Sequence, residues 1–384
     1  MLKFSHITIE HGLSQNSINW LFQDRRGYLW IGTEDGLNRF DGYQFKVFEH
    51  VPSLRDSLSH NFIYGIVEDS DNQLWIGTWG GGLNRFDPRT ETFQSFRHDP
   101  NNINSLSDDK IYSLIIDQSN ILWIGTESGL NRMDPKTHMI KRFFPAYPEK
   151  EKKKKLDITV LTIHETDDRY LWIGTQGDGL FRFDKKGFYF TRFRHREKDA
   201  MSLPNDYVWS IYEDHRKKLW IGTRAGIAIF NRQLKRFERI DNGIFFPDTM
   251  LKSSIYTILE DQQKRLWIGT WGQGLFRYKP ELNEFRQYRQ TSSETTGLNS
   301  NYISFILEDR SGLIWIGTYG GGINKMNPIT DVFKHYTHIP AEGNSINDRT
   351  ILSLLEDRNG SLWVGTRNGG LNHFNPFTKR WEFY

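Results

Sequence analysis

Short apolar runs of strand length, each followed by polar or glycine-rich turn residues, succeed one another along this chain. In one stretch, Ile63-Tyr64-Gly65-Ile66-Val67 is such a run, and Glu68-Asp69-Ser70-Asp71-Asn72 after it is turn chemistry. Leu74-Trp75-Ile76-Gly77-Thr78 predicts a second strand. Trp79-Gly80-Gly81-Gly82 then makes a tight turn whose glycines can take positive φ. Leu83-Asn84-Arg85-Phe86 is a third strand, stopped by Asp87-Pro88, and Phe93-Gln94-Ser95-Phe96 alternates apolar and polar as a half-exposed fourth. Four short antiparallel strands form a sheet that cannot bury its faces alone and must stack on neighbours, as a propeller blade does.

The pattern returns. Its Trp stands at Trp30, Trp75, Trp123, Trp172, Trp220, Trp267, Trp315 and Trp363, with gaps of 45, 48, 49, 48, 47, 48 and 48 residues. A period near 48 running from end to end predicts an all-β chain, a single propeller of four-stranded antiparallel blades over residues 1–384. Innermost strands are expected at Ile18 to Phe22, Ile63 to Val67, Ile111 to Ile115, Val160 to His164, Val208 to Tyr212, Ile255 to Leu259, Ile303 to Leu307 and Ile351 to Leu355. Their third residue is small in six copies (Gly65, Ser113, Thr162, Ser210, Thr257, Ser353), which suits the crowded inner rim of a ring. Trp20 and Phe305 break that rule and are expected either to plug the channel or to mark a wider place.

An Asp precedes the Trp by six residues in every copy but the fourth, where Thr166 stands; the set is Asp24, Asp69, Asp117, Asp214, Asp261, Asp309 and Asp357. A side chain that caps its own turn explains this spacing better than catalysis, because chemistry needs one or two carboxylates and a ring of them is architecture. The eight Trp residues are read as structural too. Burying an indole contributes roughly 4–6 kcal/mol gross, an upper bound for a chain already partly collapsed when unfolded. The Gly and Thr that follow would allow close contact between blades and a hydroxyl bond at the strand end.

Eight repeats predict eight blades, yet Phe4-Ser5-His6-Ile7 ahead of the first repeat also resembles a last strand, as does Phe333-Lys334-His335-Tyr336. An eight-bladed ring with one surplus strand is the favoured arrangement; the alternative is seven closed blades and an eighth repeat that begins a second ring. Two segments depart from the pattern. Lys150 to Lys155, reading KEKKKK, is an inserted loop with a solvated face, and Ile244-Phe245-Phe246-Pro247 lengthens the link into the sixth blade as a hydrophobic lid or as packing.

Composition narrows the function classes. Lys+Arg 50 against Asp+Glu 47 is too balanced for a nucleic-acid surface, and no apolar run approaches the length of a membrane span. Absence of cysteine removes thiolate metal sites, Cys nucleophiles and disulfides together. Met1 to Thr8 lacks the apolar core of a secretion signal. Phosphate loops, nucleophile elbows and His pairs at metal spacing are missing, so no catalytic residue, metal or cofactor is assigned.

Candidate ligand-binding residues come from where the repeat stops repeating. The residue after each Thr is in turn Glu34, Trp79, Glu127, Gln176, Arg224, Trp271, Tyr319 and Arg367, and these positions should open on one axial face. A second set precedes the inner strands and includes Asn61, Asp109, Tyr207 and Tyr302. Aromatic platforms beside Arg, Glu, Asn and Asp suit an oligosaccharide or other small polar ligand, through stacking and bonds to hydroxyls or carboxylates. The plainer alternative is that the Asn and Asp residues cap turns and the aromatics pack on the next blade. A structural or protein-interaction propeller, and a carbohydrate-active propeller enzyme, are the competing functions; Glu34 and Glu127, two blades apart, make a poor catalytic pair.

Glu308-Asp309-Arg310-Ser311-Gly312-Leu313-Ile314-Trp315-Ile316-Gly317-Thr318, followed by Gly320-Gly321-Gly322-Ile323-Asn324-Lys325, resembles the two-component regulator propeller repeat. Gly12-Leu13-Ser14-Gln15-Asn16-Ser17-Ile18 with Asp35-Gly36-Leu37-Asn38-Arg39-Phe40-Asp41-Gly42 is similar to the first repeat in the extracellular region of hybrid two-component sensor kinases. The resemblance implies a periplasmic ligand-sensing region, often for oligosaccharides, which in that family usually fills two seven-bladed rings ahead of a β-sandwich, a membrane helix and a kinase. On that footing the chain looks like a sensor fragment or a stand-alone relative. Its implied partners are a small-molecule or oligosaccharide ligand and a further sensor or kinase segment or a second copy of itself, without nucleic acid.

Overall fold

The structure, a computed structural model, describes residues 3–145, 158–166, 170–239, 247–290, 296–328, 336–340 and 343–384. Lys150 to Lys155, Ile244 to Phe246 and Phe333 to His335 lie outside the described residues. The chain divides into two compact units, residues 1–328 and 329–384.

In the first unit each of the first six repeats folds into an antiparallel sheet whose strands follow one another in chain order from the axis outward, such as Ile63–Glu68, Leu74–Thr78, Leu83–Asp87 and Thr92–Phe96. The second strand of every blade in this unit is buried along the whole of its Leu/Ile-Trp-Ile-Gly-Thr segment, because it has strands on both edges and blades on both faces. Each Trp enters the core shared with the next blade: Trp30 joins Ile63 and Phe86, Trp75 joins Ile111 and Leu122, Trp220 joins Ile255 and Phe276.

The spacing of six between Asp and Trp has a double cause. In the second blade, one oxygen of Asp69 accepts the backbone N–H groups of Asp71 and Gln73, which caps the turn, while the other accepts the indole N–H of Trp75 at 2.8 Å. The indole bond recurs at 2.7–2.9 Å in the first, third, fifth, sixth and seventh blades. Thr166 offers no carboxylate, and the Trp172 indole N–H is buried without a hydrogen-bond partner among the described residues. A Cβ on the following glycine would strike the next blade: at Gly77 it would lie 2.6 Å from Ile111 Cγ2, and at Gly269 2.6 Å from Ile303 Cγ2. The Thr hydroxyl then bonds the carbonyl at the start of the third strand, as from Thr78 to Gly82 at 2.8 Å.

The ring closes with seven blades, so the favoured count of eight gives way to the alternative. Four observations agree. Ser5–Ile7 pairs antiparallel with Gly322–Met326, with His6 opposite Asn324, and supplies the outer strand of the seventh blade. Trp315 packs with Ile18, Leu21 and Ile31 of the first blade. A Cβ on Gly317 would meet Ile18 Cγ2 at 2.7 Å. A latch runs around the ring in which the turn after the Asp donates a backbone N–H to a side chain of the next blade, from Arg25 to Glu68, Gln118 to Glu165, His215 to Glu260 and Gln262 to Glu308, each at 2.9 Å. It returns to the start through Arg310 N–H to Gln23 Oε1, also at 2.9 Å. Closure through the first strand hides both sheet edges without a disulfide.

The second unit is one more four-stranded sheet, Ile351–Glu356, Leu362–Thr366, Leu371–Asn375 and Arg380–Phe383. Its innermost strand is exposed at all six residues. Ile346, Val364 and Trp381 form its small core.

Candidate functional site

A shared irregularity builds the axial site. In all seven blades of the ring the pairing of the inner strand shifts by one residue after its first position, between Ile18 and Trp20, Ile63 and Gly65, and so on to Ile303 and Phe305. Such a bulge leaves one residue out of the ladder and re-aims its side chain. The bulged residues are Asn19, Tyr64, Tyr112, Leu161, Trp209, Tyr256 and Ser304, and all of them line an axial cavity of ≈ 780 Å³. That volume lies within the range of small-molecule sites. Ile66, Leu114 and Ile211 belong to an apolar collar made by the same position of each inner strand. Trp20 and Phe305 line the cavity at the seam between the last blade and the first, their rings 4.5 Å apart, with Trp20 Nε1 donating to the Ile66 carbonyl at 3.1 Å.

Five of the residues that follow Thr stand at this cavity: Glu34, Trp79, Gln176, Trp271 and Tyr319. Backbone bonds hold them in place, Trp79 N–H to Phe62 O at 2.9 Å, Gln176 N–H to Thr159 O at 3.0 Å and Tyr319 N–H to Tyr302 O at 2.9 Å. Trp79, Trp271 and Tyr319 keep 40%, 37% and 48% of their surface exposed, while Trp79 and Trp271 also touch the next blade, at Tyr112 and Tyr302. Trp271 stacks on Tyr256 at 4.7 Å and meets Tyr319 at 5.4 Å, while Tyr256 stacks on Trp209 at 4.6 Å. Across the ring a second aromatic group joins Phe62, Tyr64 and Tyr112, and Trp79 Nε1 donates to the Tyr112 hydroxyl at 3.2 Å.

The remaining candidates fall elsewhere. Glu127 is not among the lining residues and is held by Lys110 Nζ at 2.6 Å. Arg224 lies over the Tyr207 ring at 5.4 Å, and neither lines the cavity. Tyr302 meets Trp271 edge-on at 5.2 Å and is 44% exposed. Asn61 and Asp109 do turn work: Asn61 Oδ1 accepts the His50 N–H at 2.6 Å and Asp109 Oδ1 the His98 N–H at 2.7 Å. The Asp109 carbonyl also accepts the N–H groups of Gly80 and Gly82. Arg367 belongs to the second unit.

Tyr64, Tyr112, Trp209, Tyr256 and Asn19 were not singled out from the sequence. Their signal was present, since the second residue of the inner strand varies between copies as freely as the one after Thr. The constancy of the small third residue drew attention away from it.

Burial raises the Glu34 carboxyl above its ordinary range. Burial likewise pushes the Tyr64 phenol up to about 12, with Tyr112, Tyr256, Glu34 and Tyr319 adding to the shift, so these groups converge on one region. Tyr256 is raised by burial and lowered in part by Arg224. Among the described residues no group of three or more His, Asp or Glu stands together as a metal site requires. No described helix is long and apolar enough to cross a membrane.

The two-component regulator propeller repeat matches seven segments, residues 12–35, 57–80, 105–128, 202–225, 249–272, 297–320 and 345–368. The fourth repeat, the one with Thr166, is not among them. A stretch of 56 residues is 46% identical to Histidine kinase P4 of Formosa agariphila, covering 15% of this chain and 4% of that protein. Among solved structures, the extracellular domain of a putative hybrid two-component system from B. thetaiotaomicron is similar over 100% of this chain and 55% of its own, with a TM-score of 0.73 and 25% identity. Virginiamycin B lyase from Staphylococcus aureus shares the fold, with a TM-score of 0.61 at 14% identity over 86% of this chain and 99% of that one. The chain thus spans about half of the extracellular domain it resembles and a small part of the kinase. Its repeats, their period and their sheets agree, and the chain belongs to the two-component regulator propeller repeat family.

Proposed function

We propose that the ring is a non-enzymatic ligand-sensing module, an extracytoplasmic part of a two-component sensor, which takes an oligosaccharide or other small polar ligand into its axial cavity. One observation carries this reading: residues that vary between otherwise strict repeats, Glu34, Trp79, Gln176, Trp271 and Tyr319, meet around one cavity, with Trp79, Trp271 and Tyr319 partly exposed. Stacking faces beside the amides of Asn19 and Gln176 suit sugar rings and their hydroxyls. Output is left to a further sensor or kinase segment or to a second copy of the chain.

A fluorescently labelled oligosaccharide array tests the reading. Binding by the wild type that Trp79→Ala with Trp271→Ala abolishes supports it. Binding that survives both substitutions removes the axial cavity from the argument.

A further inference from the structure

The lining of the axial cavity is uneven in charge. Among the described residues that line it, Glu34 is the one Asp, Glu, Lys, Arg or His side chain, and no salt bridge to it occurs among the described residues. Its hydrogen-bond partner is the neutral amide of Gln15, at 3.4 Å. Around it the wall is aromatic, with Tyr64, Trp79, Tyr256, Trp271 and Tyr319 within the same cavity. Aromatic faces carry negative potential and attract cations, most strongly where water is excluded. A carboxylate set among such faces with no cation of its own is a half-made ion pair. We propose that the natural ligand of the axial cavity carries an organic cation, an alkylated ammonium on an apolar body, whose charge sits beside Glu34 against the Tyr64 and Tyr319 rings of the cavity wall.

Burial raises the Glu34 carboxyl, and a cation placed beside it would favour its charged form. One lining aromatic already holds a cation of the protein: Lys110 Nζ lies 5.2 Å from the Trp79 ring and is neutralised by Glu127 at 2.6 Å, which leaves the tyrosines beside Glu34 for the ligand. Arg224, over Tyr207 in the fifth blade, repels a cation from that side and leaves the first-blade side as the favourable one. The apolar collar of Leu114, Ile66 and Ile211 below accepts the uncharged body of the ligand. This inference rests on the axial cavity being the ligand site, and it adds the charge that the ligand must carry.

Isothermal titration of the full chain with benzyltrimethylammonium, benzyl alcohol and phenylacetate, alongside neutral oligosaccharides, tests it. Benzyltrimethylammonium should bind and weaken with added salt, whereas benzyl alcohol and phenylacetate should bind at least about tenfold more weakly. Glu34→Gln, nearly isosteric, should weaken the cation about tenfold or more and leave benzyl alcohol unchanged. Tyr319→Leu, at a half-exposed position that folding does not need, provides a second variant with the same direction of effect. Equal affinity for the cation and benzyl alcohol, or no change on Glu34→Gln, overturns the proposal. Neutral oligosaccharides that bind at the cavity while benzyltrimethylammonium does not would overturn it too, yet leave the ligand-sensing reading standing. Absence of binding by every probe would count against both.

Discussion

The seventh and eighth sheets are written in nearly the same letters and live in different environments. Glu308-Asp309-Arg310-Ser311-Gly312-Leu313-Ile314-Trp315-Ile316-Gly317-Thr318 and Glu356-Asp357-Arg358-Asn359-Gly360-Ser361-Leu362-Trp363-Val364-Gly365-Thr366 share motif, spacing and strand order. In the seventh, Ile303 and Ile306 are buried, and Trp315 is covered by the first blade. In the eighth, Leu352, Leu354 and Leu355 are 65–67% exposed, and the Asp357 bond to the indole is longer, 3.2 Å against 2.7 Å. A repeat can thus fold its own sheet, while the larger part of its apolar burial comes from the next blade in the ring.

The largest test of this contrast is the Trp itself. Trp220→Ala should lower the unfolding free energy of the ring by about 3–5 kcal/mol, and Trp363→Ala that of its sheet by only about 1–2 kcal/mol. Urea titrations followed by tryptophan fluorescence and amide hydrogen exchange would read the two; equal losses would break the comparison. Next in size is the glycine after it. Gly77→Ala drives a methyl into Ile111 of the third blade and should cost about 1–3 kcal/mol, whereas Gly365→Ala meets only the side chain of Ser353 and should cost about 0.5 kcal/mol. A thermal melt of each variant decides this.

Within the ring, the fourth blade sharpens the point that the Asp–Trp bond has a measurable worth. Thr166→Asp would give the orphaned Trp172 indole an acceptor and is expected to stabilise by about 1 kcal/mol, seen as a raised denaturation midpoint. A fall in that midpoint would mean that burying the carboxylate outweighs the bond. The last test is in acid. Burial, and then Arg232, lowers His164 from its ordinary 6.5 to about 4. Its unfolded form therefore takes up a proton first, so stability is full above about pH 6.5 and is lost as pH falls toward about 4. His164→Leu should remove that part of the loss, at most about 3 kcal/mol, from a stability curve between pH 4 and 7. The eighth sheet has exposed Leu355 in the same place and should show no such response. An unaltered pH slope in the variant would assign the acid loss to other groups.

Much of this was legible beforehand, and the misses have physical causes. Period 2 and turn chemistry located the strands, because local backbone preferences repeat with the sequence. The Asp was read as a turn cap and the Trp as core, but the bond between them was not seen, since it forms only when the sheet brings Asp69 and Trp75 onto one side. Of the residues after Thr, five reached the cavity, while Glu127 and Arg224 were diverted by Lys110 and Tyr207. Tyr64, Trp209 and Tyr256 were overlooked because a strict strand alternation does not foretell a bulge.

By itself the sequence determined the blade: four strands in order, a buried Trp, a capping Asp, a glycine with no room beside it, and a variable residue at the end of the second strand. Only the tertiary structure decided how many blades close the ring and which residues share its axis. The reason is that an open antiparallel edge accepts any strand of suitable pattern, so the pairing of Ser5–Ile7 with Gly322–Met326, more than 300 residues apart, is written in no local signal. Once that pairing is made, seven inner strands face one another, and the cavity among them follows from their bulges.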